Sequence, residues 1–259
     1  MTAIANIRET SANANAIPAA TWFLFEIMSD PQLQSRLREE LQPALLSPVA
    51  PAKVPTYNVE KLCSGPLLQS IYAETLRLRV SVVVGRMAQH DLKFRGWDIR
   101  KGETVSVSNL TEAMDDTIWN TGSESDPHPL DTFWADRFLI YPNDPASGPL
   151  KHPRISKPGQ SDQKMDEGPH LGNRGVPRFS LEGLTNSWIP YSGGPRLCPG
   201  RHFAKQEMIS AAAIMMAAFD IELLENRQRP TVDDKYFGFG TMPPNNKIPC
   251  RMKRRVVTA

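Results

Sequence analysis

A ten-residue segment, Tyr191 to Gly200, limits what this chain can fold into more than any other part of its sequence. The segment reads YSGGPRLCPG and holds Cys198, one of three cysteines in the chain. Amphipathic residues follow it at once and predict a long helix over 201–224. Cys198 therefore falls at the N-terminus of a helix, where the positive end of the helix dipole stabilises a thiolate.

The residues around Cys198 indicate more than a buried thiol. A free cysteine is most often a small hydrophobic residue packed in a core, which is the simpler alternative. That alternative does not explain Gly194 and Gly200, which permit a tight turn and the close approach of a flat ligand. Nor does it explain Arg196, which can pair with a carboxylate. A thiolate beside a flat ligand that carries carboxylates points to haem.

Composition sets broad limits on the class of protein. Of the 259 residues, 40% are hydrophobic and 22% are charged, which is enough for a substantial core in one or two domains. The net charge of +2 gives no indication of a nucleic-acid partner. The three cysteines, Cys63, Cys198 and Cys250, are odd in number and widely spaced, which argues against a disulfide framework. The five histidines share no metal-ligand spacing.

The pattern along the chain predicts a mainly α-helical fold with small β-sheets. The predicted segments are two helices over 11–45, a Pro-rich linker over 47–55, a helix over 65–79, short strands over 80–110, a meander over 131–180 that becomes a long polar loop from 141, the helix over 201–224, and a closing hairpin over 235–256. Within the first segment, Ser29 or Asp30 is expected to cap a helix that begins at Pro31.

Two features of the N-terminal region bear on membranes. Residues 1–10 are polar, so we expect no signal peptide. The most apolar window, Ala16 to Met28, is too short to span a bilayer and is interrupted by Pro18 and Glu26. We therefore expect a buried helix there and no membrane segment in this chain.

Two further motifs contain arginine. Glu74 and Arg77 lie three residues apart on a predicted helix and share one face, a spacing most often found in solvated surface pairs. Arg137 stands among the aromatic residues of FWADRFL, just before the long loop. The simpler interpretation of this second motif is a helix end with an arginine that extends its charge to solvent.

Together the three motifs resemble those of the cytochrome P-450 family of haem-thiolate enzymes. The family pattern is Phe-x-x-Gly-x-Arg-x-Cys-x-Gly before a long helix, and this chain has Tyr191 at the first position. The family also carries Glu-x-x-Arg upstream and an aromatic-flanked arginine between the two. The resemblance implies the C-terminal half of the P-450 fold. The stretches ANANAIPAATWFLF, GGPRLCPGRHFA and GFGTMPPNN are similar to the branch of cholesterol 7-alpha-hydroxylase and prostacyclin synthase.

The resemblance implies a role for each matching residue. Cys198 would be the axial thiolate of haem iron, and its electron donation favours cleavage of an O–O bond. Arg196 and Arg86 would meet the haem propionates. The other implied contributions are a cofactor loop shaped by Tyr191, Gly194 and Gly200, a buried structural triad of Glu74, Arg77 and Arg137, and a substrate pocket lined by Val80, Val82, Val83 and Val84.

One departure from the family concerns proton delivery. Most members carry an acid followed by a threonine above the haem, whereas Asn15 and Ala16 take those positions here. Pro18 has no N–H, so the carbonyl of Ala14 loses its helical partner and the helix is expected to open. Asn15 either caps this kink or forms a hydrogen bond with the distal oxygen.

The other departure is length. Family members normally carry a membrane anchor and several helices ahead of the first helix here, so we expect a fragment or a truncated gene model. The resemblance implies a monooxygenase of a small apolar substrate, sterol-like or a secondary metabolite, supplied with electrons by a flavoprotein NADPH reductase. At full length it implies a location at the endoplasmic reticulum membrane.

Two alternatives to the monooxygenase stay open. One is a haem isomerase or dehydratase that needs no reductase, and the other is an inactive fragment that binds no haem. Arg201 and Lys205, beside the thiolate, either form the docking face for a reductase or belong to an ordinary solvated surface.

Overall fold

A computed structural model describes residues 2–47, 54–152, 176–194, 197–224 and 229–255, with side chains from Ala14 onward. Arg196, the middle of the Pro-rich linker and most of the long polar loop lie outside these ranges. Within them the chain is mainly helical with small antiparallel sheets. The helices are α1 (Thr2–Met28), α2 (Pro31–Leu41), α3 (Val59–Ser64), α4 (Pro66–Arg79), α5 (Asn109–Ala113) and α6 (Arg201–Ala218).

The strands are short, and antiparallel pairs account for all the sheets of the described residues. In chain order they are β1 (Leu45–Ser47), β2 (Thr56–Tyr57), β3 (Val80–Met87), β4 (Leu92–Phe94), β5 (Trp97–Ile99), β6 (Thr104–Ser108), β7 (Leu139–Ile140), β8 (Arg178–Phe179), β9 (Phe219–Leu223), β10 (Phe239–Thr241) and β11 (Cys250–Arg254). The largest of these sheets has the order β10–β3–β6. Strand β3 thus lies between two partners directly after helix α4.

Helix α1 is longer and more regular than the sequence predicts. It begins at Thr2, nine residues before the predicted start, and continues through Pro18 without a break. The polar residues ahead of 11 lack the apolar period on which the prediction relied. At the other end, Asp30 caps α2, because its Oδ1 accepts from the N–H groups of Gln32 at 2.8 Å and Leu33 at 3.0 Å.

The core lies where α1, α4 and α6 pack together. Helix α4 is buried almost all round, since twelve of its fourteen residues, Leu67 to Leu78, are buried. Trp22 of α1 is fully buried, and its indole N–H donates to the carbonyl of Met242 at 2.8 Å. Among the described helices, none is long and apolar enough to cross a bilayer.

Two turns shape the strand region after α4. Strands β4 and β5 form a hairpin whose turn residues, Arg95 and Gly96, have φ values of 49° and 90°. Gly102, with a φ of 90°, turns the chain into β6. Strand β6 then pairs with β3 over five residues, from Val83 opposite Ser108 to Met87 opposite Thr104.

The predicted closing hairpin over 235–256 is wrong. Strand β10 pairs with β3, while β11 pairs with β9, the strand that directly follows α6. Pro243 and Pro244 follow β10, and because proline has no N–H they prevent the chain from extending this strand into a hairpin. Opposite charges support the pairing of β11, since Arg251 lies 3.0 Å from Glu222 across the two strands.

Candidate functional site

The loop that carries Cys198 is held by its own backbone. The N–H of Cys198 donates to the carbonyl of Tyr191, and the N–H of Leu197 donates to the carbonyl of Gly194, both at 3.1 Å. Gly194 has a φ of 69°, a left-handed conformation that favours glycine. These bonds close the turn and fix the Cys198 thiol, which is half-buried, at one end of the loop.

Helix α6 starts three residues after Cys198. Gly200 is its N-cap, and a Cβ built on Gly200 would lie 3.9 Å from the Cys198 Sγ, an ordinary contact distance. The guanidinium of Arg201 donates to the carbonyl of Cys198 at 3.1 Å. The thiol therefore lies beside the positive end of an 18-residue helix, next to a cationic side chain.

Arg86 brings strand β3 to the same loop. Its Nη2 donates to the carbonyl of Gly193 at 3.2 Å, and its Nη1 donates to the carbonyl of Gly85 at 2.8 Å. The guanidinium of Arg86 thus lies between β3 and the cysteine loop, where it could pair with a carboxylate of a ligand. Arg196, the other arginine expected to meet a propionate, lies outside the described residues.

The structure separates the four valines expected to line a pocket. Val80 is 4% exposed and belongs to the main core. Because alternate residues of a strand point to opposite faces, Val82 and Val84 share the face of Arg86, and Val83 points the other way. Val83 packs near Gly238, where an added Cβ would lie 3.5 Å from its Cγ2. Val82 and Val84 share with Arg86 the face of β3 that reaches the cysteine loop, and Val82 also packs against the main core.

The side chains of Glu74, Arg77 and Arg137 lie together in the interior. The Nε of Arg77 lies 2.7 Å from Glu74 Oε2, and the Nε of Arg137 lies 2.9 Å from Glu74 Oε1. All three side chains are 0% exposed. The solvated surface pair that the sequence spacing alone favours is therefore wrong for Glu74 and Arg77.

This triad fixes the chain between α5 and β7. Arg77 donates to the carbonyls of Ala113 at 2.8 Å and Leu130 at 2.7 Å, and Arg137 donates to the carbonyls of Asn120 and Pro129. Burial by itself favours the protonated form of Glu74 and is the largest single effect on its pKa. The charges and hydrogen bonds of the two arginines together outweigh it, so the pKa of Glu74 is lowered and the carboxylate stays ionised.

Asn15 contacts strand β10. Its Oδ1 accepts from the N–H of Thr241 at 2.8 Å, and a Cβ on Gly240 would lie 2.0 Å from the same oxygen. Gly240, with a φ of 130°, leaves the space that this contact needs. The carbonyl end of the Asn15 amide is thus used to join α1 to the central sheet, which leaves the NH₂ end as the group that can donate to a ligand.

Two further residues act on the same region and were missed by the sequence analysis. Asn109, which is buried, accepts from the N–H of Val82 at 2.6 Å and donates to the carbonyl of Val80 at 2.9 Å, so it clamps the start of β3. Tyr72 contacts Tyr191 through the two hydroxyl groups. No local pattern marks Asn109, but a tyrosine where the family has phenylalanine signals a hydroxyl that needs a partner.

The donor set fits haem better than a free metal ion. The described residues contain no group of three or more His, Cys, Asp or Glu side chains that could hold a metal ion. A single thiol is sufficient when four ring nitrogens of the cofactor supply the other ligands. The open space around Gly193 and Gly194, where an added Cβ would meet no atom within 4 Å, leaves room for a flat ligand beside the loop.

Comparison with known proteins supports the resemblance to the cytochrome P-450 family. The family model of cytochrome P450 matches residues 12–130 and 176–250. Cytochrome P450 monooxygenase fsoE of Humicola fuscoatra is 45% identical over 252 residues, which are 96% of this chain and 41% of that protein. Cytochrome P450 monooxygenase efuG of Hormonema carpetanum is 46% identical over 249 residues, which are 95% of this chain and 42% of that protein.

A more distant relative belongs to the branch to which three stretches of the sequence are similar. Cytochrome P450 7A1 of Sus scrofa is 29% identical over 256 residues, which are 94% of this chain and 43% of that protein. The chain thus spans about two-fifths of the length of these curated relatives. Through a match over most of its length, the chain belongs to the cytochrome P450 family, whose cofactor is haem.

Proposed function

We propose that the chain forms the thiolate-bearing part of a haem monooxygenase. The enzyme would insert one atom of dioxygen into an apolar organic substrate, sterol-like or a secondary metabolite. The observation that carries the proposal is the position of Cys198, a single thiol held by the loop backbone at the start of α6. The names of the relatives from Humicola fuscoatra and Hormonema carpetanum, both monooxygenases, support this reaction.

Different residues of the site would hold different parts of the cofactor. Cys198 would ligate the iron, and Arg86, with Arg196, would pair with the propionates. When bound, haem supplies the redox centre at which dioxygen is activated. In the overall reaction a C–H bond of the substrate becomes C–OH, the second oxygen atom leaves as water, and NADPH supplies the two electrons.

Exposed hydrophobic side chains on α1 and β10, together with two valines of β3, support an apolar substrate. Ile17 of α1 is 60% exposed and Phe239 of β10 is 83% exposed, although both are large hydrophobic residues. Val82 and Val84 lie on the strand that pairs with β10, and Phe239 stands opposite Val82. We assign these side chains to the substrate side of the site, where they offer hydrophobic contact and few polar partners.

Electrons would reach the site from a flavoprotein reductase on the side of α6. Arg201 donates to the carbonyl of Cys198, and Lys205, four residues further along α6, donates to Gln69 Oε1 at 2.7 Å. A cationic surface there would attract an acidic face of the reductase. A location at the endoplasmic reticulum membrane belongs to the same proposal.

The isomerase or dehydratase is the second candidate, and one observation favours it. Positions 15 and 16 hold an amide and a methyl group, so the acid and the hydroxyl that normally organise proton delivery are missing. The Asn15 Oδ1 is already used by Thr241. A rearrangement needs no such relay, because its substrate brings its own O–O bond.

Electron dependence separates the two candidates. The protein, expressed at the full length that its gene encodes, is incubated with sterol-like and other apolar substrates, with and without a flavoprotein reductase and NADPH. We expect product only when both are present. Complete turnover without electrons, unaffected by adding them, would establish the rearrangement instead. A protein that takes up no haem under the same conditions would be the inactive fragment.

Two substitutions of Asn15 test its part in this reaction. Asn15→Leu removes both ends of the amide, and we expect slower product formation with more peroxide released per NADPH oxidised. Asn15→Asp keeps an acceptor for the N–H of Thr241 and introduces an acid, so it should restore the yield of product per NADPH. If Asn15→Leu changes neither quantity, Asn15 serves only to join α1 to β10.

A further inference from the structure

Tyr191, the first residue of the cysteine loop, differs from the family pattern by one hydroxyl group, and that hydroxyl has a partner. It contacts the hydroxyl of Tyr72, which lies 119 positions earlier in the sequence, on helix α4. Tyr72 is 4% exposed, and the ring of Tyr191 packs against the core. The contact therefore joins the loop to the most deeply buried helix of the described structure.

Both tyrosines are held from several sides. Tyr72 stands two residues before Glu74, whose carboxylate is fixed by the two buried arginines. The ring of Tyr191 meets Trp188 edge to face, with 6.3 Å between centroids and 82° between planes. The indole N–H of Trp188 in turn donates to the carbonyl of Ala73 at 3.0 Å. The side chain of Tyr191 is thus fixed against α4 by a hydroxyl contact and by a ring contact.

The backbone carries this constraint to the thiol. The carbonyl of Tyr191 accepts from the N–H of Cys198 at 3.1 Å. A continuous series of contacts therefore runs from α4, through the two hydroxyls and the backbone of Tyr191, to the residue that bears the sulfur.

We propose that the Tyr72–Tyr191 hydroxyl pair positions the thiolate loop on helix α4. Each tyrosine acts through the loop backbone and touches no reacting atom, so both are positioning residues. The consequence for catalysis rests on the proposed function, but the constraint on Cys198 is a property of the chain itself. A phenylalanine at 191 would keep the ring contact with Trp188 and lose the anchor.

The hydroxyl pair predicts an unusual order in how far the single and double variants loosen the loop. Tyr72→Phe or Tyr191→Phe removes one hydroxyl and leaves the other buried without its partner, which costs more than the bond itself contributes. The double variant removes both hydroxyls and leaves two rings of nearly unchanged shape. Each single variant should therefore loosen the loop more than the double variant does.

Thiol labelling of the 259-residue chain measures this directly. The rates at which an alkylating reagent modifies Cys198, Cys63 and Cys250 are followed by mass spectrometry of the separated peptides. Cys250 is exposed and reports reagent activity, while half-buried Cys63 on α3 reports the integrity of the rest of the fold. Tyr57→Phe is the matched control, because it removes a half-buried hydroxyl that donates to the carbonyl of Ala213 at 3.5 Å, on α6.

We expect each single variant to label Cys198 about five- to thirty-fold faster than the wild type, with Cys63 unchanged. The double variant should fall between the single variants and the wild type, and Tyr57→Phe should leave Cys198 unchanged. Equal rates for Cys198 in all variants would overturn the proposal. So would a double variant that is additive, or faster labelling of Cys63 and Cys198 together in all three variants.

The haem-loaded protein provides a second, independent measurement. We expect the single variants to lose the red-shifted Soret band of the reduced carbon monoxide complex faster than the wild type and the double variant. Altered labelling of the variants, in a protein that takes up haem but forms no product, would contradict the monooxygenase and leave the positioning role intact. Normal labelling of the variants of an active monooxygenase would do the reverse.

Discussion

At the scale of single residues, the interior of this chain is organised by carboxylates that each serve two partners. Glu74 binds Arg77 and Arg137 with all three side chains buried. Glu26, also buried, pairs with Arg79 at 2.8 Å and with Arg229. In both cases the carboxylate joins segments that are distant in the sequence, so each works as an anchor for the chain rather than as a surface charge.

Removal of the Glu74 charge should be severely destabilising. Glu74→Gln leaves two buried guanidinium groups with no carboxylate, a situation that costs about 3–5 kcal/mol in comparable buried pairs. The matched control is Glu222→Gln, which breaks a surface pair with Arg251 whose side chains are 66% and 71% exposed, and it should cost less than about 1 kcal/mol. Urea unfolding followed by circular dichroism measures both. Equal losses would show that the triad is not an anchor.

The same carboxylate gives a pH dependence of defined sign. Because the pKa of Glu74 is lower in the folded chain than in the unfolded chain, the unfolded chain binds its proton first as the pH falls. The stabilisation by ionised Glu74 is therefore complete above the ordinary carboxylate range and is lost as the pH drops through the folded pKa. The stability difference between wild type and Glu74→Gln should shrink on acidification. A difference that stays constant would contradict the lowered pKa.

At the scale of elements, helix α4 begins with a cap supplied by another helix. Gly65 and Pro66 at its start offer no side-chain acceptor, and Glu40 of α2 accepts from the N–H groups of Leu67 and Leu68, both at 2.8 Å. A Cβ on Gly65 would lie 2.6 Å from Glu40 Oε1, so glycine leaves the space that the carboxylate fills. The helix that carries Tyr72, Glu74 and Arg77 is thus fixed at its first turn by α2.

The cap can be tested by two neighbouring substitutions on α2. Glu40→Ala leaves two amide N–H groups of α4 without an acceptor and should lower the free energy of unfolding by about 1–2 kcal/mol. Glu39→Ala changes an exposed residue of the same type on the same helix and should have almost no effect, because alanine is at least as good a helix former. Thermal and urea unfolding compare the two. Similar losses for both variants would rule out the capping role.

Some elements can be predicted from the local sequence, and others depend on contacts between distant parts of the chain. The helix at Pro66–Arg79, the cap at Asp30 and the turn at Arg95–Gly96 are local features, set by apolar spacing, an acid before a proline, and a glycine with positive φ. The pairing of β11 with β9 is not local, because the alternation within β11 fits any free strand edge. For the same reason the Glu40 cap and the Asn109 clamp had no signal within a short window. The tyrosine at position 191 signalled a hydroxyl that needs a partner but did not identify Tyr72 as that partner.

At the scale of the whole molecule, the site is assembled from three separate parts of the chain. Helix α1 supplies Asn15, the unit from α4 to β7 supplies the triad and Arg86, and the loop before α6 supplies Cys198. The order of the three motifs pointed to this assembly through family resemblance, whereas composition and periodicity alone indicated only a mainly helical chain with small sheets. The division of the four valines between two strand faces required the register of β3.

The proposed function depends above all on which residue ligates the haem iron. In the protein expressed at the full length that its gene encodes and loaded with haem, the reduced carbon monoxide complex should show the red-shifted Soret band of a thiolate ligand. Cys198→Ala should abolish that band, while Cys63→Ala and Cys250→Ala should leave it unchanged. A red-shifted band that persists in Cys198→Ala, or a wild-type protein that shows none, would contradict the assignment of Cys198 as the axial thiolate.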